Sequence, residues 1–109
     1  MPEISYDDFA KLDIRIGTVV AAEIIPETDK RIKCTIDFGE CGTRTIVSGI
    51  AKWKRPDELV GKQLPYIINL PPRMLKGVAS EGMLLAVSDA QGVALIFPER
   101  SVEKGTKLK

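Results

Sequence analysis

Ile32 to Ile50 reads IKCTIDFGECGTRTIVSGI, and its first half decides the class of fold. Ile32, Cys34, Ile36 and Phe38 alternate strictly with Lys33, Thr35 and Asp37. That period of two belongs to a strand with one face in a core and the other toward water. Gly39 to Thr43 has the composition of a turn, and Arg44 to Ile50 reads as the next strand.

The same chemistry continues outward in both directions. Ser5-Tyr6-Asp7-Asp8 predicts a helix start, with Ser5 as the cap and Asp8 three residues on. The helix must be short, because strand chemistry begins at Asp13. Ile14, Ile16, Val20, Ala22 and Ile24 share one parity and predict one buried face of a strand. Pro26 to Arg31 is a polar turn. Downstream, Pro56 to Gly61 reads as a single helical turn with Pro near its start and Gly after its end. Leu64, Tyr66, Ile68 and Leu70 form a fourth strand face. Met83 to Val87 and Val93 to Phe97 form a hairpin around Asp89-Ala90-Gln91-Gly92. After Pro98 the tail turns polar but keeps Val102 and Leu108. Five main strands and a short helix predict an all-β protein, best fitted by the five-stranded OB-fold barrel. A small sandwich gives a similar periodicity. Residues 1–109 read as one domain, without repeat or linker. The leading Met1 is what a complete small gene product would show, and equally an expression start on an excised domain.

Composition narrows the function. A hydrophobic share of 44% argues against disorder. No apolar run approaches the roughly 20 residues of a membrane span, and no secretion signal opens the chain. A cytoplasmic protein with no membrane partner is expected. The chain has no histidine, which removes the commonest general base and leaves Cys34 and Cys41 without the ligand set of a zinc site. There is no glycine-rich phosphate loop. Asp7-Asp8 and Asp57-Glu58 stand at helix starts, where carboxylates suit the dipole. Ser48 lacks the flanks of a nucleophile elbow. These absences predict a binding module with no catalytic residue, cofactor or metal.

Net charge is only +1, but its distribution is uneven. Lys30 to Lys76 holds ten Lys and Arg against four Asp and Glu, a balance of +6, and the remainder carries −5. Such asymmetry can make a basic face on a nearly neutral protein, though ordinary solvated charge would give the same count. Within the basic region lies NLPPRMLKGVASEGMLLA, Asn69 to Ala86. Arg73 and Lys76 can hold phosphates there, one as a planar fork and the other as a point charge. Asn69 and Ser80 can bond to phosphate, sugar or 2′-hydroxyl oxygens. Met83 can lie against a base, although its parity with Leu85 and Val87 suits a core position. Ser80 can equally satisfy a turn backbone. Trp53, between Lys52 and Lys54, can stack on a base or cover a barrel end. Lys104, Lys107 and Lys109 read as a solvated tail.

DDFAKLDIRIGTV, RTIVSGIA and NLPPRMLKGVASEGMLLA together resemble the tRNA-binding OB domain family. That family includes the C-terminal domain of bacterial methionyl-tRNA synthetase, stand-alone structure-specific tRNA-binding proteins and a small secretion-chaperone branch. The resemblance runs from Tyr6 to the C-terminus. It implies an OB-fold with terminal extensions, dimerisation through them, and tRNA recognition by shape. Asn69, Arg73, Ser80 and Met83 match the family's RNA-facing positions, and Lys30 and Arg44 match nearby basic ones. The step Ser80-Glu81-Gly82-Met83 favours RNA over the chaperone branch, which departs there. The chain itself departs at Ile25-Pro26, where His-Pro is common, and at Ile32-Lys33, where Leu-Tyr is common. The resemblance therefore implies a homodimeric tRNA-binding protein that assists methionyl-tRNA synthetase. A peptide-binding export chaperone is the alternative, and a pure interaction module a third class.

Overall fold

The computed structural model describes every residue except Asp29, which falls in the turn expected over Pro26–Arg31. Helix α1 (Tyr6–Ala10) starts as the sequence predicts. Ser5 Oγ accepts from the Asp8 N–H at 3.0 Å, and Asp7 and Asp8 fill the first turn. No residue of α1 is buried, so the helix is an appendage to the core rather than part of it.

Strands β1 (Ile14–Ile24), β2 (Ile32–Asp37), β3 (Thr43–Ser48), β4 (Gln63–Ile67) and, after a short hairpin, Met83–Leu84 form one sheet. All their pairings are antiparallel, and β1 lies at the centre. The sheet curls into a nearly closed barrel of the OB type. Its core holds Val19, Ile32, Cys34, Ile36, Phe38, Ile46, Leu59, Leu64 and Tyr66. The strict alternation in β2 is realised, with Ile32, Cys34, Ile36 and Phe38 all buried. Phe38 meets Tyr66 edge to face, with ring centroids 5.6 Å apart. Burial pushes the Cys34 thiol up to about 11, consistent with a packing role, and also raises Tyr66.

The expected face of β1 is only half correct. Ile14 and Ile16 are buried, but Val20 and Ile24 are 49% and 48% exposed, while Val19 is 1% exposed. The register against β2 shifts between Val19 and Ala21. The bulge leaves Val20 without a cross-strand partner and returns Ala22 and Ile24 to the side of buried Cys34 and Ile32, although Ile24 stays half-exposed at the strand end. It falls where β1 passes from β4, its partner over Ile14–Thr18, to β2. Gly17 precedes it and lies close over the core. A Cβ there would stand 2.4 Å from Ile36 Cγ2, so the crossing requires glycine.

Helix α2 (Pro56–Leu59) links β3 to β4 as a single turn. Glu58 Oε1 accepts from the Arg55 N–H at 2.9 Å, and Leu59 is 1% exposed against the core. Burying that side chain contributes roughly 1.5–3 kcal/mol. Strand β4 ends at Ile67, and Leu70 is 40% exposed rather than on the strand face, because Pro71 and Pro72 follow and cannot donate to a ladder.

The polar tail leaves Lys104, Lys107 and Lys109 exposed, as expected, but its backbone is bound to the barrel. Gly105 N–H donates to Ile16 O at 2.7 Å, Ile16 N–H to Thr106 O at 2.9 Å, and Leu108 N–H to Ile14 O at 2.8 Å. The Gln63 side chain bonds both backbone groups of Val102, and Lys104 Nζ lies 3.0 Å from Asp37 Oδ2. Backbone hydrogen bonds thus hold a segment whose composition offers little apolar burial.

Candidate nucleic-acid interface

The Asn69–Ala86 segment contains a hairpin that the sequence pattern did not reveal. Strands β5 (Arg73–Leu75) and β6 (Val78–Ser80) pair, with Arg73 opposite Ser80, Met74 opposite Ala79 and Leu75 opposite Val78. Lys76 and Gly77 have φ of 52° and 79°. Two successive positive values define the primed two-residue turn that suits twisted strands. Glycine adopts this readily; lysine does so uncommonly. The turn carries Lys76 to the hairpin tip, exposed to water. Alternation divides the hairpin. Leu75, Val78 and Ser80 face the barrel, while Met74 (68% exposed) and Ala79 face solvent. Arg73 shares the barrel-facing parity but stands at the rim, and it too is exposed.

After the hairpin the chain closes the barrel through β7 (Met83–Leu84), which pairs with β4. On the other side it meets β3 with a mixed ladder. Glu81 N–H donates to Thr45 O at 2.8 Å. Two side chains supply what a regular strand would have done: Ser80 Oγ accepts from Val47 N–H at 2.9 Å, and Glu81 Oε1 from Thr45 N–H at 3.1 Å. Ser80 is 4% exposed. Arg44 crosses the seam and donates to Ile68 O and, at 3.2 Å, to Glu81 O. Gly82 lies directly on the seam, where a Cβ would be 2.8 Å from Ile46 Cδ1 and 2.9 Å from Ile67 O. The serine, acid and glycine of SEGM therefore build the closure. Met83 emerges from it 45% exposed, so the core reading that its parity suggested does not hold.

Asn69 is committed locally as well. Its Oδ1 accepts from Asp13 N–H at 2.9 Å and its Nδ2 donates to Lys11 O at 2.7 Å, which ties the end of α1 to the end of β4. Lys30 is exposed on the turn after β1, and its carbonyl accepts from Ala51 N–H at 3.0 Å. The positions singled out in the sequence thus divide into two sets. Arg44, Asn69 and Ser80 spend their polar groups on the chain itself. Lys30, Arg73, Lys76 and Met83 present theirs outward, and no described carboxylate pairs with Arg73 or Lys76. Met74 joins the outward set. Its alternation with Arg73 and Leu75 marked it, once those three residues are known to form a strand.

Strands β8 (Ala86–Asp89) and β9 (Gly92–Leu95) form the last hairpin, and Asp89 Oδ1 accepts from Gln91 N–H at 2.9 Å in its turn. Trp53 packs against that turn. A Cβ on Gly92 would lie 2.3 Å from the indole, and the residue is still 42% exposed. Among the described residues, no helix is long and apolar enough to cross a membrane.

The sequence model of the family described as "Putative tRNA binding domain" matches residues 14–107. A methionine–tRNA ligase of Porphyromonas gingivalis is 53% identical over 98% of this chain, and one of Deinococcus radiodurans is 46% identical over 97%. In both cases the matched region is 16% of the relative's length. Among solved structures, a MetRS-related protein from Pyrococcus horikoshii superposes with a TM-score of 0.94 at 39% identity, covering 100% of both chains. The chaperone CsaA from Bacillus anthracis gives 0.89 at 37% identity, covering 99% of this chain and 100% of its own. The family match and the barrel agree over nearly the whole sequence, and the chain belongs to the tRNA-binding domain family.

Proposed function

We propose that the chain is a non-catalytic module that binds tRNA by shape, through the exposed residues around the barrel-closing segment. The observation that carries this reading is the division of polar groups. Arg73 and Lys76 are exposed cations without a described ionic partner, held on a hairpin anchored by Ser80 and Glu81. We assign phosphate contacts to Arg73, Lys76 and Lys30, an apolar contact to Met83, and positioning to Arg44, Asn69 and Ser80, which act through the backbone they hold. Backbone contacts of this kind fix orientation without reading sequence, as recognition by shape requires. The cytoplasm, where tRNA is used, is the compartment this reading implies, with assistance to methionyl-tRNA synthetase as its context.

A homodimer belongs to the same proposal. Ile96 and Phe97 are 43% and 52% exposed beside an apolar hollow lined by Ile16, Pro65, Val102 and Leu108. A second copy related by a two-fold axis would cover that face. The full chain sediments as a dimer at micromolar concentration on this account, and Phe97→Glu shifts it to monomer. A full-length chain that sediments as a monomer refutes the dimer.

Peptide capture by an export chaperone is the second reading, favoured by the likeness to CsaA. Nucleic acid that stays with the protein through purification separates the two. Recovered and sequenced, it is predominantly tRNA if the first reading holds; recovery of bound peptide without RNA supports the second.

A further inference from the structure

Trp53 is the chain's single tryptophan, and its surroundings differ from those of a simple barrel cover. The indole rests on Gly92, where any side chain would collide with it, so its seat is fixed. The residue as a whole is 42% exposed. Lys52 Nζ stands 5.7 Å from the ring centroid, within cation–π range. Among the described residues, no carboxylate pairs with Lys52 or Lys54. The hydrogen bond from Ala51 N–H to Lys30 O joins the turn after β1 to the segment that carries Trp53, and Glu27, Thr28, Lys30, Arg31 and Gly49 line a cleft at that turn. In OB barrels the loop between the first two strands borders the oligonucleotide face.

We infer that Trp53 is a stacking platform for an unpaired base of the bound RNA, with Lys52 and Lys30 on the neighbouring phosphates. This extends the tRNA-binding reading and rests on it. A fixed aromatic ring beside flexible cationic side chains is the arrangement by which proteins hold single-stranded nucleotides, because every base has a π-face and every nucleotide a phosphate. Lys52 can leave the ring for the phosphate of the nucleotide that replaces it. The ligand class is therefore an RNA with at least one unpaired nucleotide next to a duplex, which every tRNA offers at its loops and its 3′ end.

The single tryptophan makes the test direct. Unfractionated deacylated tRNA and a blunt RNA duplex are titrated into the wild-type protein, with binding read by the anisotropy of labelled RNA and stacking by tryptophan emission. The expected result is that tRNA binds and quenches Trp53 emission, while the duplex binds more weakly and leaves emission unchanged. Trp53→Leu should weaken tRNA binding about five- to a hundredfold at an unchanged circular dichroism spectrum, and Trp53→Phe should recover most of the loss. Binding of tRNA with unchanged emission overturns the stacking site and leaves the tRNA reading standing. Equal quenching by the blunt duplex also overturns it. No binding of tRNA at all removes both.

Discussion

The barrel seam and the hairpin beside it are both rich in polar residues, yet they use them in opposite ways. At the seam, Ser80, Glu81 and Arg44 satisfy backbone groups of β3 and of the chain around the closure, and Gly82 leaves no space for a side chain. On the hairpin, Arg73, Lys76 and Met74 project into water with no described ionic partner. A short motif can thus hold, a few residues apart, groups that close the barrel and groups that face water. Changes at the seam should act on stability, and changes on the hairpin on binding alone.

Gly82→Ala should break the seam most severely. Its Cβ would press on the Ile67 carbonyl, a backbone atom that cannot step aside. Overpacking of this kind costs about 3 kcal/mol, so thermal unfolding should begin many degrees lower. A variant melting with wild type would show that the seam is looser than it looks.

Ser80→Ala comes next. It leaves the Val47 N–H buried without a partner, a loss of about 2 kcal/mol by chemical denaturation. Binding measured on the folded fraction should hardly change. A clear loss of affinity at wild-type stability would move Ser80 from the seam to the binding surface.

Met83→Ala sharpens the comparison from the other side. At 45% exposure the side chain contributes little to the core, so stability should move by about 0.5 kcal/mol or less while tRNA affinity falls severalfold. Weakened stability with intact binding would return Met83 to the core.

The smallest effect concerns the tail. Asp37 accepts from Gly39 N–H and from Lys104, and these bonds hold its carboxyl below the usual carboxylate range. A depressed folded value means that the latch is fully present above the ordinary carboxylate range and is lost as pH falls through the depressed one. Protection factors at Gly105 and Leu108, from exchange rates corrected for the intrinsic pH dependence of amide exchange, should therefore hold above the ordinary carboxylate range and fall as pH drops through the depressed one. Asp37→Asn should abolish that acid-dependent step.

How much of this was legible in the sequence follows from the range of the forces involved. Alternation in β2, the Ser5 cap and the Pro56 turn are local, and each was readable from neighbouring residues. The bulge in β1 was not, because it is set by an exchange of partner strands far apart in sequence. The Lys76–Gly77 hairpin was hidden by a lysine in a glycine-like conformation and by strands of three residues. The closing roles of Ser80 and Glu81 depend on β3, which lies 33 and 36 positions away along the chain at the bonded residues, and no local pattern records that pairing. The cations and Met83 were legible as chemistry, and the fold supplied only their exposure.

The salt dependence of tRNA binding by wild type and by Arg73→Ala tests the division between seam and hairpin most directly. Removing one phosphate-binding cation takes about one counterion's worth of slope from log K against log salt. Wild type should weaken steeply with salt, and Arg73→Ala should bind about ten- to a hundredfold more weakly at low salt, with a slope shallower by about one and unchanged stability. A folded Arg73→Ala protein that keeps the wild-type affinity and slope would contradict the account and leave the hairpin a scaffold.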